Sequence, residues 1–295
     1  MRLSTNYQFD RMQSSVQRSG QAYFDAQYKV TTGKRINRLS DDPAAIEPLV
    51  SMRSLKASMD QYNSNLKVAS NTFAASENAF SEVATILNRA NQLAISGGTA
   101  TASSTQRQAM ADEIKSLRER IISLGNTKAA NGDYIFSGTN LDVKPFQDNG
   151  TIVTFQGDTM NRFIESGPGE RINLTLANSK QAFMDSITRL NALQTALTMG
   201  DQATLNGPML TDLKSSQDAF NQLRGEIGMK TQSLQATKTN FERRSLDLTQ
   251  GISDLEEVDL SQAITDMKKA ETAYQAALQV TSIGSKLSLM DFIRG

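Results

Sequence analysis

The stretch Gly33–Ala45, GKRINRLSDDPAA, packs two adjacent carboxylates, Asp41 and Asp42, and three cations between a glycine and a proline. Such a cluster is either a site for a divalent cation or a phosphate, or a corner between two helices. The corner gives each residue a role. Gly33 ends one helix in the left-handed conformation, Asp42 caps the next with Pro43 at its first position, and Arg35 and Arg38 answer the carboxylates. A metal site needs a third or fourth ligand at a usable spacing, and none follows. The stretch reads as a corner.

The flanks agree. Upstream, Phe9, Met12, Val16, Ser19, Tyr23, Ala26 and Val30 recur at alternating steps of three and four, the seam of a left-handed coiled coil. Downstream the same steps run much further. One row is Met52, Met59, Leu66, Phe73, Phe80, Leu87 and Ala94; the other is Leu55, Tyr62, Ala69, Ser76, Val83 and Ala90. With Pro48 placed in the first turn and SGG at 96–98 as the stop, this predicts a helix of roughly 70 Å. A third helix carries Met110, Ile114, Leu117, Ile121 and Leu124 after the turn TATASSTQ.

From Asn131 to about Ala177 glycine and proline recur and the apolar period becomes irregular or near two. TIVTFQGD and RINLTL read as short strands, with DNG (148–150) and SGPGE (166–170) as turns. Helix resumes with Phe183, Ile187, Leu190 and Leu197. After NGP (206–208) one apolar position persists through Leu213, Phe220, Ile227, Leu234, Phe241, Leu248 and Leu255. The other seam position is largely polar (Lys230, Thr237, Arg244), a narrow contact stripe. Gly225 and Gly228 each cost about 1 kcal/mol in a helix interior, which calls for a close backbone approach or a bend. A last helix carries Leu260, Ile264, Met267, Tyr274 and Leu278, with an alanine row at 263, 270 and 277 suited to close helix approach. Asp259 reads as its cap, with Glu256 and Glu257 favouring a helix N-terminus rather than forming a metal cluster.

Composition narrows the function. Among 295 residues there is no cysteine, histidine or tryptophan, and 31 basic residues balance 31 acidic ones. Thiolate nucleophiles, disulfides, Cys/His zinc sites and histidine relays are excluded. Without a basic stripe, nucleic acid is not an expected partner. No secretory signal peptide and no membrane-spanning run is legible. The fold expected is mainly α: an elongated antiparallel helical bundle or coiled coil formed by both chain ends, with a small β-rich insertion. The expected domains are terminal helices 1–33 and 256–295 as an inner coiled-coil layer, a helical rod from 34–138 and 178–255, and a small β-rich outer domain at 139–177. The terminal apolar rows have too few partners in one chain, so the ends are expected to stay loosely ordered until neighbouring copies cover them.

These residues resemble a family. TTGKRINRLSDDPAA is similar to the loop SSGLRINSAKDDAAG of bacterial flagellin-type axial proteins. EEVDLSQAITDMKKAETAYQAALQV (256–280) resembles the start of that family's C-terminal helix, and EIGMKTQSLQATKTN (226–240) the middle of the helix before it. Three departures from filament flagellin point to a component between hook and filament: RLSDDP in the loop, NGDYIFSG at 131–138 and the tail LSLMDFIRG. The resemblance implies a non-catalytic adaptor without cofactors, exported unfolded through the flagellar type III apparatus without cleavage, and located outside the cell at the hook–filament junction. It implies the first hook-associated protein on the hook side, flagellin on the filament side, copies of itself in a ring, and an export chaperone as partners.

On that footing Phe9, Met12, Val16, Tyr23 and Val30, with Leu260, Ile264, Met267, Tyr274 and Leu278, are the expected assembly seam. Leu287, Leu289, Met290 and Phe292 form the chaperone-binding and axial tail. The corner Gly33, Arg35, Arg38, Asp41, Asp42 and Pro43 is expected to set the angle between inner and outer layers. A minor flagellin that itself builds filament and an intracellular coiled-coil scaffold remain as alternatives.

Overall fold

The computed structural model describes residues 2–38, 40–150 and 152–294, and for 2–6, 8 and 285–294 it describes backbone alone. The chain is mainly helical, with a small β-rich segment, in the order α1 (Arg2–Thr32), α2 (Pro43–Gly97), α3 (Ser104–Gly125), β1 (Phe146–Asp148), β2 (Val153–Phe155), β3 (Phe163–Gly167), β4 (Glu170–Asn173), α4 (Ser179–Met199), α5 (Gln202–Asn206), α6 (Pro208–Glu256) and α7 (Leu260–Arg294). It divides into two compact units. The first comprises Met1–Ser58 and Arg244–Gly295, the second Met59–Arg243.

In the second unit the apolar rows legible in the sequence form the core. Leu66, Phe73, Phe80, Leu87 and Ala94 of α2 are fully buried, as are Leu213 and Phe220 of α6, with Ile227, Leu234 and Phe241 nearly so. Phe80, Phe136, Phe183 and Phe220 pack ring to ring at centroid distances of 5.1–6.0 Å. Phe136 belongs to the NGDYIFSG segment, so this cluster anchors a stretch without regular structure to the helices.

Two antiparallel hairpins complete the unit. In β1–β2, Gln147 pairs with Thr154, and in β3–β4 Ile164 pairs with Ile172, with an irregularity between Glu165 and Gly167. DNG and SGPGE lie at their turns. The strands FQD and FIESG carry no alternating pattern and are defined by their pairing with the strands opposite. Arg118, buried on α3, makes a bidentate ion pair with Asp148 of β1 at 2.8 and 3.0 Å. Asn126, the C-cap of α3, accepts from the Phe146 N–H and donates to its carbonyl, both at 2.9 Å. The hairpin is thus held to α3 by polar bonds as well as by the Phe146 ring. Among the described residues a Cβ on Gly225 or Gly228 would meet nothing within 4 Å, so no close approach there explains either glycine.

The first unit is built on α1 and α7, which run antiparallel: Gly20 faces Tyr274, and Met12 faces Gly284. Because α2 begins at Pro43, Pro48 lies in its second turn and not its first. The ring removes the N–H that would bond the Ala44 carbonyl, but both residues are exposed, so water can serve that oxygen.

Candidate assembly surfaces

The corner forms as its residue types dictate. Gly33 takes φ +68° and donates its N–H to the Lys29 carbonyl at 2.9 Å, closing α1. Asp42 caps α2, accepting the Ala45 N–H at 3.2 Å, with Pro43 as the first helical residue. Arg35 donates to the Asp42 carboxylate at 2.8 Å, and this bond chiefly holds that carboxyl below its usual range. Asp41 accepts the N–H groups of Asn37 and Arg38 at 2.9 and 2.8 Å, which lower its carboxyl likewise. Arg38 acts on Asp41 through charge, its guanidinium exposed.

This corner is locked to the α6–α7 junction. The Arg35 N–H donates to the Glu256 carbonyl at 2.6 Å, and the Val258 N–H to the Gly33 carbonyl at 3.0 Å. Lys34 and Glu257 pair as an antiparallel bridge, and the Arg35 guanidinium reaches the Leu255 carbonyl at 2.9 Å. The Glu256 side chain is 5% exposed and ion-paired with both Lys34 and Arg53. Burial pushes its carboxyl up, but the two cations together outweigh that, and it lies below the usual glutamate range. Asp259 caps α7 through the N–H groups of Ser261 and Gln262 at 2.8 and 3.2 Å. Among the described residues no group of three or more acids could hold a metal ion, and no helix is long and apolar enough to cross a membrane.

The helix pair places the seam residues unevenly. Met12, Val16, Tyr23 and Val30 of α1 and Met267 and Tyr274 of α7 are half-buried, and Tyr23 and Tyr274 stack with centroids 6.2 Å apart. Phe9, Leu260, Ile264 and Leu278 are exposed instead. The α7 face turned to α1 is one position round the helix: Ala263, Met267, Ala270, Tyr274, Ala277, Thr281 and Gly284, a row of alternating steps of four and three. Small side chains every seventh residue leave room for the larger ones of α1. The alanine row thus marks the contact, while the larger aliphatics flank it. Gly20, Gly284 and the Glu256–Arg53 pair escaped the sequence reading; Gly284 falls seven residues past Ala277, a spacing that could have found it. Leu287, Leu289, Met290 and Phe292 lie outside the residues whose side chains are described.

Between α1 and α7 a groove of about 770 Å³ opens beside Tyr7, Arg11, Met12, Ala273 and Val280. A second hollow, of about 710 Å³, lies at the corner beside Tyr28, Lys34 and Arg53. Both are open to solvent.

Comparison with known proteins places this geometry. The family model for the bacterial flagellin N-terminal helical region matches residues 3–141, and that for the bacterial flagellin C-terminal helical region matches residues 211–293, together more than half of the chain. Flagellar hook-associated protein 3 of Escherichia coli K12 is 25% identical over 312 residues, 98% of each chain. A flagellin of Bacillus subtilis strain 168 is 25% identical over 231 residues, 75% of each chain. The crystal structure of Bacillus cereus FlgL matches at a TM-score of 0.60 and 24% identity, over 69% of this chain and 99% of that one, a likeness of fold.

Proposed function

Because the chain belongs to the bacterial flagellin family, we propose that it is a structural subunit of the flagellum, the non-catalytic adaptor that joins hook to filament. The observation that carries this reading is the end-to-end similarity to a flagellar hook-associated protein 3, over 98% of both chains. The flagellin similarity spans three-quarters of each chain, so a minor flagellin is the less favoured reading.

In this role the partners are the first hook-associated protein on one side, flagellin on the other, and copies of the chain arranged in a ring. Contacts within such a ring are heterologous, one surface meeting a different surface on the next copy. The exposed Phe9, Leu260, Ile264 and Leu278 supply apolar area for those contacts, and Met12, Val16, Tyr23, Val30, Met267 and Tyr274 hold the helix pair that presents it. The tail residues Leu287, Leu289, Met290 and Phe292 meet the export chaperone first and neighbouring subunits later. The protein is exported without a cleaved signal and works outside the cell.

The test is deletion of the gene, followed by electron microscopy of the cell surface and assay of flagellin in the medium. Hooks without filaments, flagellin shed outside, and rescue by the intact gene are the expected result. Normal filaments in the deletion strain would overturn the reading.

A further inference from the structure

The hollow at the corner is more than a gap between helices. Its base is apolar, with Ile36 and Leu49 buried, and its rim carries the exposed Tyr28 and Val50, 49% and 56% accessible. Three cations line it, Lys34, Arg38 and Arg53, against a single lining carboxylate, Glu256. Glu256 is shared by Lys34 and Arg53, and both cations remain about half exposed. Asp41 adjoins Arg38: its Oδ2 accepts the N–H groups of residues 37 and 38, and its charge faces the Arg38 guanidinium without lining the hollow. A partner suited to this hollow therefore offers aliphatic side chains beside carboxylates.

The same chain carries such a surface. At the start of α7 the exposed acids Glu257 and Asp259 adjoin Leu260 and Ile264, 52% and 47% accessible, and neither aliphatic lines the hollow. Its height on the molecule matters. Lys34 pairs with Glu257, and the Val258 N–H bonds the Gly33 carbonyl, so the acidic–aliphatic start of α7 lies level with the hollow. A single operation repeated from copy to copy can therefore bring the hollow of one chain to the α7 start of the next.

We propose that the corner hollow receives the start of α7 from a second copy of this chain, making the side-to-side contact of the ring. This rests on the adaptor reading above and specifies its self-contact. Charge contributes direction more than affinity: a cationic rim rejects a second cationic rim and accepts the acidic face, which makes the contact heterologous.

The absence of native cysteine makes the test direct. Two differently tagged versions of the full chain, one with Arg38→Cys and one with Glu257→Cys, are expressed together in the deletion strain. Hook–filament complexes are then isolated and mildly oxidised. A disulfide-linked product bearing both tags, at the mass of two chains, is expected, at least tenfold above the product from either variant alone. Should Arg38→Cys fail to restore filaments, Val50→Cys, which lines the same hollow, replaces it. A second arm reverses charge. Arg38→Glu should lower the number of filaments per cell at least tenfold, and Glu257→Arg in the same chain should restore it.

Filaments without a dual-tag product would overturn the proposed contact while leaving the adaptor role standing. A crosslink to a chain of different mass would assign the hollow to another flagellar protein and overturn it equally. The adaptor role itself falls only if the deletion strain builds normal filaments.

Discussion

Gly20 of α1 lies under the ring of Tyr274 of α7, where a Cβ would come within 3.2 Å of the ring's Cε2 atom. Tyr274 in turn stacks on Tyr23, the planes 7° from parallel. The two helices approach closely here because one of them has no side chain. Two substitutions separate approach from propensity. Gly20→Ala gains about 1 kcal/mol of helix propensity, offset by the small shift that the Tyr274 ring must make, and should be near neutral. Gly20→Leu should destabilise the pair by about 1–3 kcal/mol, as overpacking does. Circular dichroism of the two variants during heating measures both, and equal melting of Gly20→Leu and wild type would contradict the close contact.

Glu256 should make the corner sensitive to acid. Its folded carboxyl lies below the ordinary value of 4.5, so the stabilisation is complete above that value and lost as pH falls through the lowered one. Glu256→Gln should remove this dependence and cost about 2 kcal/mol at neutral pH, the half-exposed cations limiting the loss. The reporter is amide exchange at Arg35, whose N–H bonds the Glu256 carbonyl. Exchange should accelerate on acidification in the wild type beyond the ordinary pH dependence of exchange, and be fast at neutral pH in Glu256→Gln.

What was legible in the sequence was whatever obeys a local rule. The corner follows from a glycine, a capping aspartate and a proline in order, and the long rows of α2 and α6 follow from a seven-residue period that only a buried helical seam sustains. The α1–α7 contact is legible in its seven-residue period, and its close face in the alanine row at 263, 270 and 277. Leu260, Ile264 and Leu278 attract attention because they are large, yet Ala263, Ala270 and Ala277 face the partner helix. Within one chain a close helix pair selects small residues, and the larger ones at its flank stay exposed. Glu256 illustrates a second limit. A carboxylate among acidic neighbours reads as a helix-start charge until folding brings Lys34 and Arg53, more than 200 residues away, to it. The strands β1 and β3 were hidden for a similar reason, since pairing defines them and their own three to five residues carry no alternation.

In the second unit the Arg118–Asp148 pair should behave asymmetrically. Arg118 is 6% exposed and Asp148 23%. Asp148→Asn leaves a buried guanidinium without its counter-charge and should cost about 3 kcal/mol. Arg118→Met leaves a carboxylate that water can still reach and should cost less. Asp148 is also held below its ordinary value of 3.8, first by Arg118 and further by the Gly150 N–H, so stability should fall as acid protonates it, and Arg118→Met should reduce that acid-dependent loss. Urea unfolding of the three chains at neutral and acidic pH tests the order; a larger loss for Arg118→Met would reverse it.

Phe136 should report whether the NGDYIFSG segment is fastened by its ring. It is 5% exposed and packs against Phe80 at 5.4 Å and Phe183 at 5.1 Å. Phe136→Ala should cost about 3–4 kcal/mol, whereas Phe136→Leu, which nearly conserves volume, should cost about 1 kcal/mol. Urea midpoints with unchanged slopes would support a packing effect alone, and a loss below 1 kcal/mol for Phe136→Ala would show that backbone bonds suffice to hold the segment.

Leu278 and Val280 on α7 should separate folding from assembly. They are 44% and 56% exposed in the single chain. Exposed apolar groups contribute little to folding, so Leu278→Ser with Val280→Ser should shift the stability of the free chain by no more than about 0.5 kcal/mol each. In a subunit that stacks into a tube the same groups lose their water, at about 25 cal/mol per Å² of apolar surface covered, repeated in each copy. The double variant should therefore melt like wild type when purified and yet restore few filaments in a deletion strain. Full restoration would mean that these two positions, on either side of the α1-facing row of α7, stay wet in the flagellum, and the apolar contacts would then have to come from the other exposed side chains of the pair, Phe9 and Phe24 of α1 among them.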